Sequence, residues 1–284
     1  MNHCQNFTNR LYLEPANYPA GSGTTYFISQ ADVDKVVSAG LFPEILLKDY
    51  TFATNAPKIA VLLTRDKHPD RPAPDYSMPI STIDAITISG GNPCFMTYTD
   101  VEMQLQKINP DGIYLPGGDF AFPSGWHKDE SAHPAEEARA KAYLTCLNYA
   151  KKHKLPLLGI CAGMQMLAGF CGAKIEKISN HRSKITEFAH KITVAPDSML
   201  FKLMNKTDFA VNTSHSEAVS PEFIGECLIS AISEDGIIEA VELKNPWNKF
   251  VMGIQSHPEY FVKTGDEFAV KLFSNFIKAC KNEL

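Results

Sequence analysis

One segment in the middle of the chain constrains its fold more than any other. Residues 157–165 read LLGICAGMQ, so an apolar run leads through a cysteine directly into a helical pattern. Such a run is typical of a strand buried in a parallel sheet, and a sharp strand-to-helix turn pushes the residue at the turn above the sheet. Gly159 and Gly163 indicate this turn, because side chains there would collide with neighbouring backbone.

Cys161 is therefore the first candidate for a reactive group. The N-terminus of a helix offers free N–H groups and a positive dipole end, which favour thiolate over thiol. The N–H of Ala162 is predicted to donate to an oxyanion formed at the sulfur. A free cysteine is more often a buried structural residue, and we interpret the other six in this way. They are Cys4, Cys94, Cys146, Cys171, Cys227 and Cys280.

The rest of the chain alternates short apolar runs with helical patterns. This alternation predicts an α/β domain with a mostly parallel central sheet covered on both faces. Asp235-Gly236 indicates a tight hairpin turn between two of the runs. The predicted strands cover 59–63, 94–96, 113–115, 155–160, 227–232, 237–243 and 250–254, and the predicted helices 80–89, 134–153 and 268–280.

The first part of the chain differs from the rest. Residues 1–56 open irregularly and then show a capping box at Ser29 before apolar residues at helical spacing. We interpret 1–56 as an N-terminal extension with one or two helices, packed on or tethered to a catalytic domain that covers 57–284.

Composition limits the possible partners and the compartment. The net charge is −5, with no basic stripe, which argues against nucleic acid and anionic membranes as partners. The polar N-terminus does not resemble a signal peptide, and seven scattered cysteines without a C-x-x-C pair predict a reducing, cytoplasmic setting. The sequence leaves open whether the chain forms a homodimer.

A thiolate needs an imidazole partner, and His257 has the most suggestive setting of the nine histidines. It follows the predicted strand 250–254, and loops after sheet strands are where α/β active sites lie. Glu259 follows two residues later and is predicted to bond the far ring nitrogen, which would complete a Cys–His–Glu triad. A second oxyanion donor is expected from the glycine pair Gly117-Gly118, again just after a strand.

These motifs resemble those of a known family. Residues 159–165 (GICAGMQ), 255–259 (QSHPE) and 115–118 (LPGG) resemble the nucleophile, histidine and oxyanion motifs of class I glutamine amidotransferases. Further residues are most similar to the γ-glutamyl-γ-aminobutyrate hydrolase branch, also called peptidase C26. They are Asp111-Gly112-Ile113, Pro123, His181-Arg182, His190, Val211-Asn212, His215 and residues 235–242.

The resemblance implies a flavodoxin-like three-layer αβα sandwich and a cysteine hydrolase that cleaves a γ-glutamyl amide through a thioester. Gly117, Gln165, Ser214 and His215 are then expected to bind the small-molecule substrate, although a structural role for Gln165 and His215 is an equal alternative. The chain departs from the branch at Phe120, where an acid is common, and at Glu217, where glutamine is usual.

No cofactor is implied, and we predict no metal, because His181 and His190 are too isolated in the sequence to suggest closely spaced zinc ligands. Two alternatives to the hydrolase remain. One is a glutaminase that supplies ammonia to a separate synthetase. The other is a non-catalytic binding module that retains the fold, against which the intact triad argues.

Overall fold

The computed structural model describes residues 9–17, 24–48, 50–66, 75–118, 122–128 and 137–284. These residues form seven α-helices, which are α1 Gln30–Ser38, α2 Ile80–Ile88, α3 Val101–Ile108, α4 Glu137–His153, α5 Ala162–Phe170, α6 Met199–Met204 and α7 Glu267–Cys280. A short 3₁₀ helix covers Pro258–Tyr260.

The strands of the described residues, in chain order, are β1 Arg10–Asn17, β2 Thr24–Ile28, β3 Glu44–Leu47, β4 Lys58–Leu62, β5 Thr64–Asp66, β6 Asp75–Pro79, β7 Asn92–Met96, β8 Gly112–Leu115, β9 Leu157–Ile160, β10 Ile175–Lys177, β11 His190–Val194, β12 Asp208–Val211, β13 Glu217–Val219, β14 Cys227–Ser233, β15 Ile238–Leu243 and β16 Val251–Ile254.

The main sheet has nine strands among the described residues, in the order β12-β11-β14-β15-β16-β9-β8-β4-β7. The half from β16 to β7 is parallel throughout. The half from β12 to β16 is antiparallel and extends it. Since the carboxyl ends of parallel strands meet at one edge, the segments after β8, β9 and β16 lie side by side there.

Helices cover both faces of the parallel half. Val61 of β4 belongs to a buried apolar cluster that includes side chains of α2 and α7. Its neighbour Leu62 belongs to another cluster, with side chains of α3, α4 and α5. Successive side chains of a strand point to opposite faces, so the two clusters lie on opposite sides of the sheet. The predicted α/β fold with a three-layer αβα arrangement is confirmed.

A second sheet joins the N-terminal region to the rest of the chain. Its order is β3-β1-β2-β6-β5. Strands β1, β2 and β3 of the N-terminal region therefore share a sheet with β5 and β6, which follow β4 of the main sheet in the chain. Leu13 of β1 and Val33 of α1 are fully buried in the same cluster as Ile59 and Phe276. The expectation of helices in this region is met by α1, whereas β1, β2 and β3 were not predicted.

The elements that carry the motifs lie close to their predicted bounds. The segment predicted as a strand at 113–115 is β8, and that at 155–160 is β9. The predicted hairpin at Asp235-Gly236 joins β14 to β15, and Gly236 adopts a φ of 85° there. Within the described part of the chain, no helix combines the length and the apolar character needed to cross a membrane.

Candidate active site

Cys161 lies at the turn between β9 and α5, in a strained backbone conformation. Its φ is 51° and its ψ is −109°, which a residue with a side chain adopts only when the surroundings hold it there. The N–H of Cys161 donates to the carbonyl oxygen of Ile254 at 2.7 Å. This bond ties the turn to the end of β16, the neighbouring strand.

The two glycines around Cys161 are sterically required, as the sequence predicted. A Cβ atom on Gly159 would come within 2.6 Å of the backbone of Gly163. A Cβ atom on Gly163 would overlap the carbonyl oxygen of Leu115, the last residue of β8. Helix α5 can therefore pack directly on the ends of β8 and β9, which brings its N-terminus to the carboxyl edge of the sheet.

His257 follows β16 and is buried beside Cys161. Its Nδ1 lies 2.8 Å from Oε1 of Glu259, and its imidazole is close enough to the Cys161 side chain for the two groups to interact electrostatically. The structure thus brings together the cysteine, histidine and glutamate that the sequence predicted as a triad. Their assignment as catalytic groups stays a prediction.

The electrostatic surroundings of His257 favour its positive form. Burial opposes the charge of the imidazolium, but the Glu259 carboxylate and the Cys161 sulfur outweigh burial and raise the pKa of His257 well above its usual value. This is the environment expected for a histidine that carries its proton as an imidazolium.

Asn212 fixes the backbone of His257. The N–H of His257 donates to Oδ1 of Asn212 at 2.8 Å, and Nδ2 of Asn212 donates to the carbonyl oxygen of His257 at 3.0 Å. Asn212 is 1% exposed, so this pair of hydrogen bonds is shielded from water. Asn212 therefore helps to position the imidazole. The sequence had indicated Asn212 only as a point of family resemblance.

The glycine pair after β8 lies directly over the candidate triad. A Cβ atom on Gly117 would come within 2.8 Å of Cε1 of His257 and 3.0 Å of Cβ of Cys161. Only a glycine leaves room above the sulfur at this position. Gly118 has a φ of 125°, which is a conformation that residues with side chains rarely adopt.

A buried arginine, which sequence analysis missed, holds this loop. Nη2 of Arg139 donates to the carbonyl oxygen of Gly117 at 2.7 Å, and the hydroxyl of Tyr143 donates to that of Pro116 at 2.6 Å. Both side chains come from α4, and Arg139 is 1% exposed. Since the C=O and N–H of one peptide unit point in opposite directions, this bond directs the N–H of Gly118 away from α4.

The other predicted oxyanion donor, the N–H of Ala162, lies at the start of α5. The first backbone bond of this helix runs from the N–H of Gln165 to the carbonyl oxygen of Cys161. The N–H of Ala162 therefore has no acceptor within the helix. It belongs to the residue that immediately follows the sulfur-bearing one, where an N–H can reach an oxyanion formed at the sulfur.

The predicted substrate-binding residues are spread more widely. Nε2 of Gln165 donates to the carbonyl oxygen of Glu217 at 2.6 Å and to Oε1 of Gln255 at 3.1 Å, so its amide group has a structural role. Ser214 is half-buried and forms a β-bridge with Arg182. His215 is buried and faces Glu239 rather than the sulfur. Phe120 lies outside the described residues.

The view of His181 and His190 as isolated histidines is wrong. Their ring centroids lie 5.0 Å apart, and His215 lies 5.0 Å from His181 on its other side. The three rings surround the buried carboxylate of Glu239. Sequence spacing could not indicate this cluster. Strand β14 pairs with both β11, which carries His190, and β15, which carries Glu239, and the loop after β12 contributes His215.

Comparison with known proteins shows the family of the chain. The sequence profile of the peptidase C26 family matches residues 58–259, which include the turn at Cys161 and the loop at His257. The chain belongs to the peptidase C26 family. As a peptidase C26 protein it is a hydrolase of the glutamine amidotransferase type.

Relatives of this peptidase C26 protein span most of its length. A glutamine amidotransferase-like protein from Rickettsia prowazekii is 30% identical, over 73% of this chain and 90% of the relative. The γ-glutamyl-γ-aminobutyrate hydrolase of Escherichia coli is 26% identical, over 81% of this chain and 96% of the relative. The crystal structure of a GMP synthase subunit from Thermoplasma acidophilum shares the fold, with a TM-score of 0.56 and 19% identity over 81% of this chain and 96% of that one.

Proposed function

We propose that this peptidase C26 protein hydrolyses the amide bond between the γ-carboxyl group of glutamate and a small amine, through a thioester on Cys161. The observation that carries the proposal is the buried contact of the Cys161 side chain with the imidazole of His257, which Glu259 holds from the other side. This arrangement supports a nucleophile, a general acid–base group and an orienting carboxylate in those three roles.

The first half of the reaction forms the thioester. The Cys161 sulfur attacks the γ-carbonyl carbon, and the carbonyl oxygen becomes an oxyanion that accepts hydrogen bonds from the N–H groups of Ala162 and Gly118. The C–N bond then breaks. The leaving amine takes the proton of the His257 imidazolium and departs.

The second half releases glutamate. Neutral His257 takes a proton from a water molecule as that water attacks the thioester carbonyl. The same two N–H groups hold the second oxyanion. The C–S bond breaks, and glutamate leaves with a γ-carboxyl group that gives its remaining proton to solvent. The thiolate–imidazolium pair is restored, so protons and charges balance over the cycle.

The amine half of the substrate is proposed from similarity and from Glu217. A relative of matching length is named as a hydrolase of γ-glutamyl-γ-aminobutyrate, which supports a small γ-glutamyl amine. Glu217 replaces the glutamine usual in that branch, and its Oε1 lies 3.3 Å from Nε2 of His127. In our proposal this carboxylate faces the amine half, where it would favour an amine that carries a positive charge over one that carries a second carboxylate.

The test is a panel of γ-glutamyl amides that differ in the amine. It comprises γ-glutamyl-GABA, a γ-glutamyl polyamine, a folyl polyglutamate and glutamine, each assayed for release of glutamate by wild type and by Cys161→Ser. Cys94→Ser is the matched control, because Cys94 lies on β7 and takes no part in the proposed chemistry. We expect wild type and Cys94→Ser to hydrolyse at least one small γ-glutamyl amine, and Cys161→Ser to be about a thousandfold slower or worse.

Two other results of this assay would indicate a different function for the chain. Turnover of glutamine alone, and only after a synthetase is added, would overturn the proposal in favour of an ammonia-supplying glutaminase. Binding of a γ-glutamyl compound by folded wild type without turnover of any panel member would overturn it in favour of a binding module.

A further inference from the structure

A second buried cluster of polar side chains lies in the antiparallel half of the molecule. His181, His215 and Glu239 come from three separate parts of the chain and are 4%, 4% and 1% exposed. One nitrogen of each ring and a carboxylate oxygen lie within 4.8 Å of one another. The cluster uses none of the groups in the proposed hydrolytic mechanism.

The hydrogen bonds around the two rings determine where their lone pairs point. Nδ1 of His215 lies 3.0 Å from the carbonyl oxygen of Glu217, and a carbonyl only accepts, so Nδ1 carries the proton. Nε2 of His181 lies 2.8 Å from Oδ2 of Asp235 and carries the proton for the same reason. In the neutral rings, Nε2 of His215 and Nδ1 of His181 therefore hold lone pairs directed at Glu239.

These two nitrogens are buried and have no hydrogen-bond partner among the described residues, and neither has Oε2 of Glu239. They lie 3.6 Å (His181) and 3.7 Å (His215) from Oε1 of Glu239. A charged histidine paired with a carboxylate would approach to about 2.7–2.9 Å. The observed separations are too long for that contact.

The separations instead lie near the upper limit of those expected around a shared metal ion. Zinc binds histidine nitrogen and carboxylate oxygen at about 2.0–2.2 Å in a tetrahedral arrangement, which places its ligand atoms roughly 3.3–3.6 Å apart. The residues around the cluster also have the usual supporting roles. Asp235 and the Glu217 carbonyl bond the far ring nitrogens, and Nε2 of His190, 3.0 Å from Oε1 of Glu239, orients the carboxylate.

We propose that His181 Nδ1, His215 Nε2 and the Glu239 carboxylate bind a divalent transition-metal ion of the zinc class. Three protein ligands leave a fourth position for water or a small ligand. His190 and Asp235 are positioning residues for this site.

The metal would stabilise the segment that supports the candidate active site. Asn212, which holds the backbone of His257, and His215, a proposed ligand, are three residues apart. The Glu217 carbonyl accepts hydrogen bonds from both His215 and Gln165 of α5. A metal bound at His215 therefore fixes residues 212–217 against both β16 and α5.

The test measures metal binding itself. Purified full-length protein is treated with a chelator, dialysed, and titrated with Zn²⁺ and with Co²⁺. Zinc stoichiometry is then determined by elemental mass spectrometry, zinc affinity by calorimetry, and Co²⁺ geometry by visible absorption. The variants are His215→Gln, which removes a ligand, Asp235→Asn, which removes a support, and His153→Gln, a matched control on the exposed end of α4. Circular dichroism and the melting temperature monitor folding of each.

We expect one zinc per chain, a tetrahedral Co²⁺ spectrum and a zinc-dependent rise in melting temperature for wild type and His153→Gln. Zinc affinity should fall at least about a hundredfold in His215→Gln and about 10–100-fold in Asp235→Asn. The Asp235 side chain is 59% exposed, so Asp235→Asn keeps the test valid where His215→Gln does not fold. Folded wild type that binds neither ion, or variants that bind as wild type does, would overturn the proposal.

Discussion

His257 is held both at its ring and at its backbone. Glu259 bonds its Nδ1, Cys161 contacts the ring, and Asn212 bonds its backbone N–H and C=O. Such restraint favours a single ring orientation, which proton transfer between a sulfur and a substrate requires. It also couples the charge of the ring to two neighbouring groups.

The first prediction concerns the positive charge of the His257 imidazolium. Burial opposes it, yet Glu259 and Cys161 raise the pKa of His257 well above its usual value. Activity that needs the imidazolium is present below this pKa and is lost as pH rises through it. In Glu259→Gln the attraction of the carboxylate is lost, so the pKa of His257 falls. The alkaline limb of the kcat/KM profile should then move to lower pH, and kcat should fall about a hundredfold or more.

The measurement is the pH dependence of hydrolysis of the substrate identified in the panel. Glu102→Gln, on the exposed side of α3, is the matched control and should keep the wild-type profile. An alkaline limb that stays in place in folded Glu259→Gln would show that the carboxylate does not set the charge of His257.

At the scale of single residues, the local sequence was sufficient to predict the candidate site residues that follow the strands. Cys161 was predicted because the glycines, the apolar strand and the helical pattern all lie within nine residues. His257 and Glu259 were predicted because a strand, a histidine and an acid follow each other directly. Arg139 was not predicted, because its partner Gly117 is 22 residues away and nothing within α4 marks it as different from a surface arginine.

At the scale of elements, three adjacent parallel strands each deliver one part of the candidate site. β8 leads into Gly117, β9 into Cys161 and β16 into the loop of His257. Helix α5 supplies the N-terminus behind the sulfur, and α4 supports the glycine loop from the side. The strand ends position the reacting groups, and the helices hold the backbone between them.

The second prediction tests the role of α4. In Arg139→Met, the carbonyl oxygen of Gly117 loses its donor, and the peptide between Gly117 and Gly118 is no longer fixed. We expect kcat to fall about tenfold or more with little change in KM, because an oxyanion donor acts mainly in the transition state. Lys141→Met, on the exposed face of the same helix, should have wild-type kinetics.

Rescue separates positioning from folding. Arg139→Lys keeps a donor near Gly117 and should recover part of the lost kcat. Steady-state kinetics and melting temperatures of the three variants provide the measurement. Wild-type kcat in a folded Arg139→Met protein would contradict a positioning role for this arginine.

Elements with strong periodicity were predictable, and those that depend on distant pairing were not. The buried strands β4, β8 and β9 and the helices α4 and α7 have patterns that identify them without partners. β10 and β13 have three residues each and form a two-stranded sheet in the described residues, with one further bridge from Ile175 to His127. Such short strands form because the surrounding fold brings them together, and their local sequence carries little signal.

For the whole molecule, the N-terminal region is part of a shared core. β2 pairs with β6, and Leu13 of β1 is fully buried in a cluster that also contains Ile59 and Phe276. Burial of this kind links the stability of the region to that of the sheet that carries the candidate site. The predicted boundary at 56/57 stays a prediction; the family profile begins at residue 58.

The third prediction follows from that packing. Leu13→Ala should lower the free energy of unfolding of the whole chain by about 2–4 kcal/mol, in one transition. Leu41→Ala is the matched control, because Leu41 is 39% exposed and should change stability by about 0.5 kcal/mol or less. Denaturant unfolding followed by fluorescence and circular dichroism measures both. A separate early transition, or equal effects of the two substitutions, would show that the N-terminal region folds apart from the domain.

Long-range structure limited what the sequence could indicate at this scale. The α/β class followed from alternation of strands and helices, but the antiparallel half and the second sheet depend on which strands pair. The cluster of His181, His190, His215 and Glu239 depends on that pairing too. Its members are far apart along the chain, and only the folded arrangement makes them neighbours.

The central claim is that Cys161 is the nucleophile that becomes acylated. Its most direct test is mass spectrometry of the protein after treatment with a diazo-ketone analogue of glutamine, which alkylates a nucleophile that recognises the glutamyl group. We predict one covalent adduct per chain in wild type and Cys94→Ser, located on Cys161 by peptide mapping, and none in Cys161→Ser. An adduct on another cysteine, or no adduct on folded wild type that binds the analogue, would contradict the account.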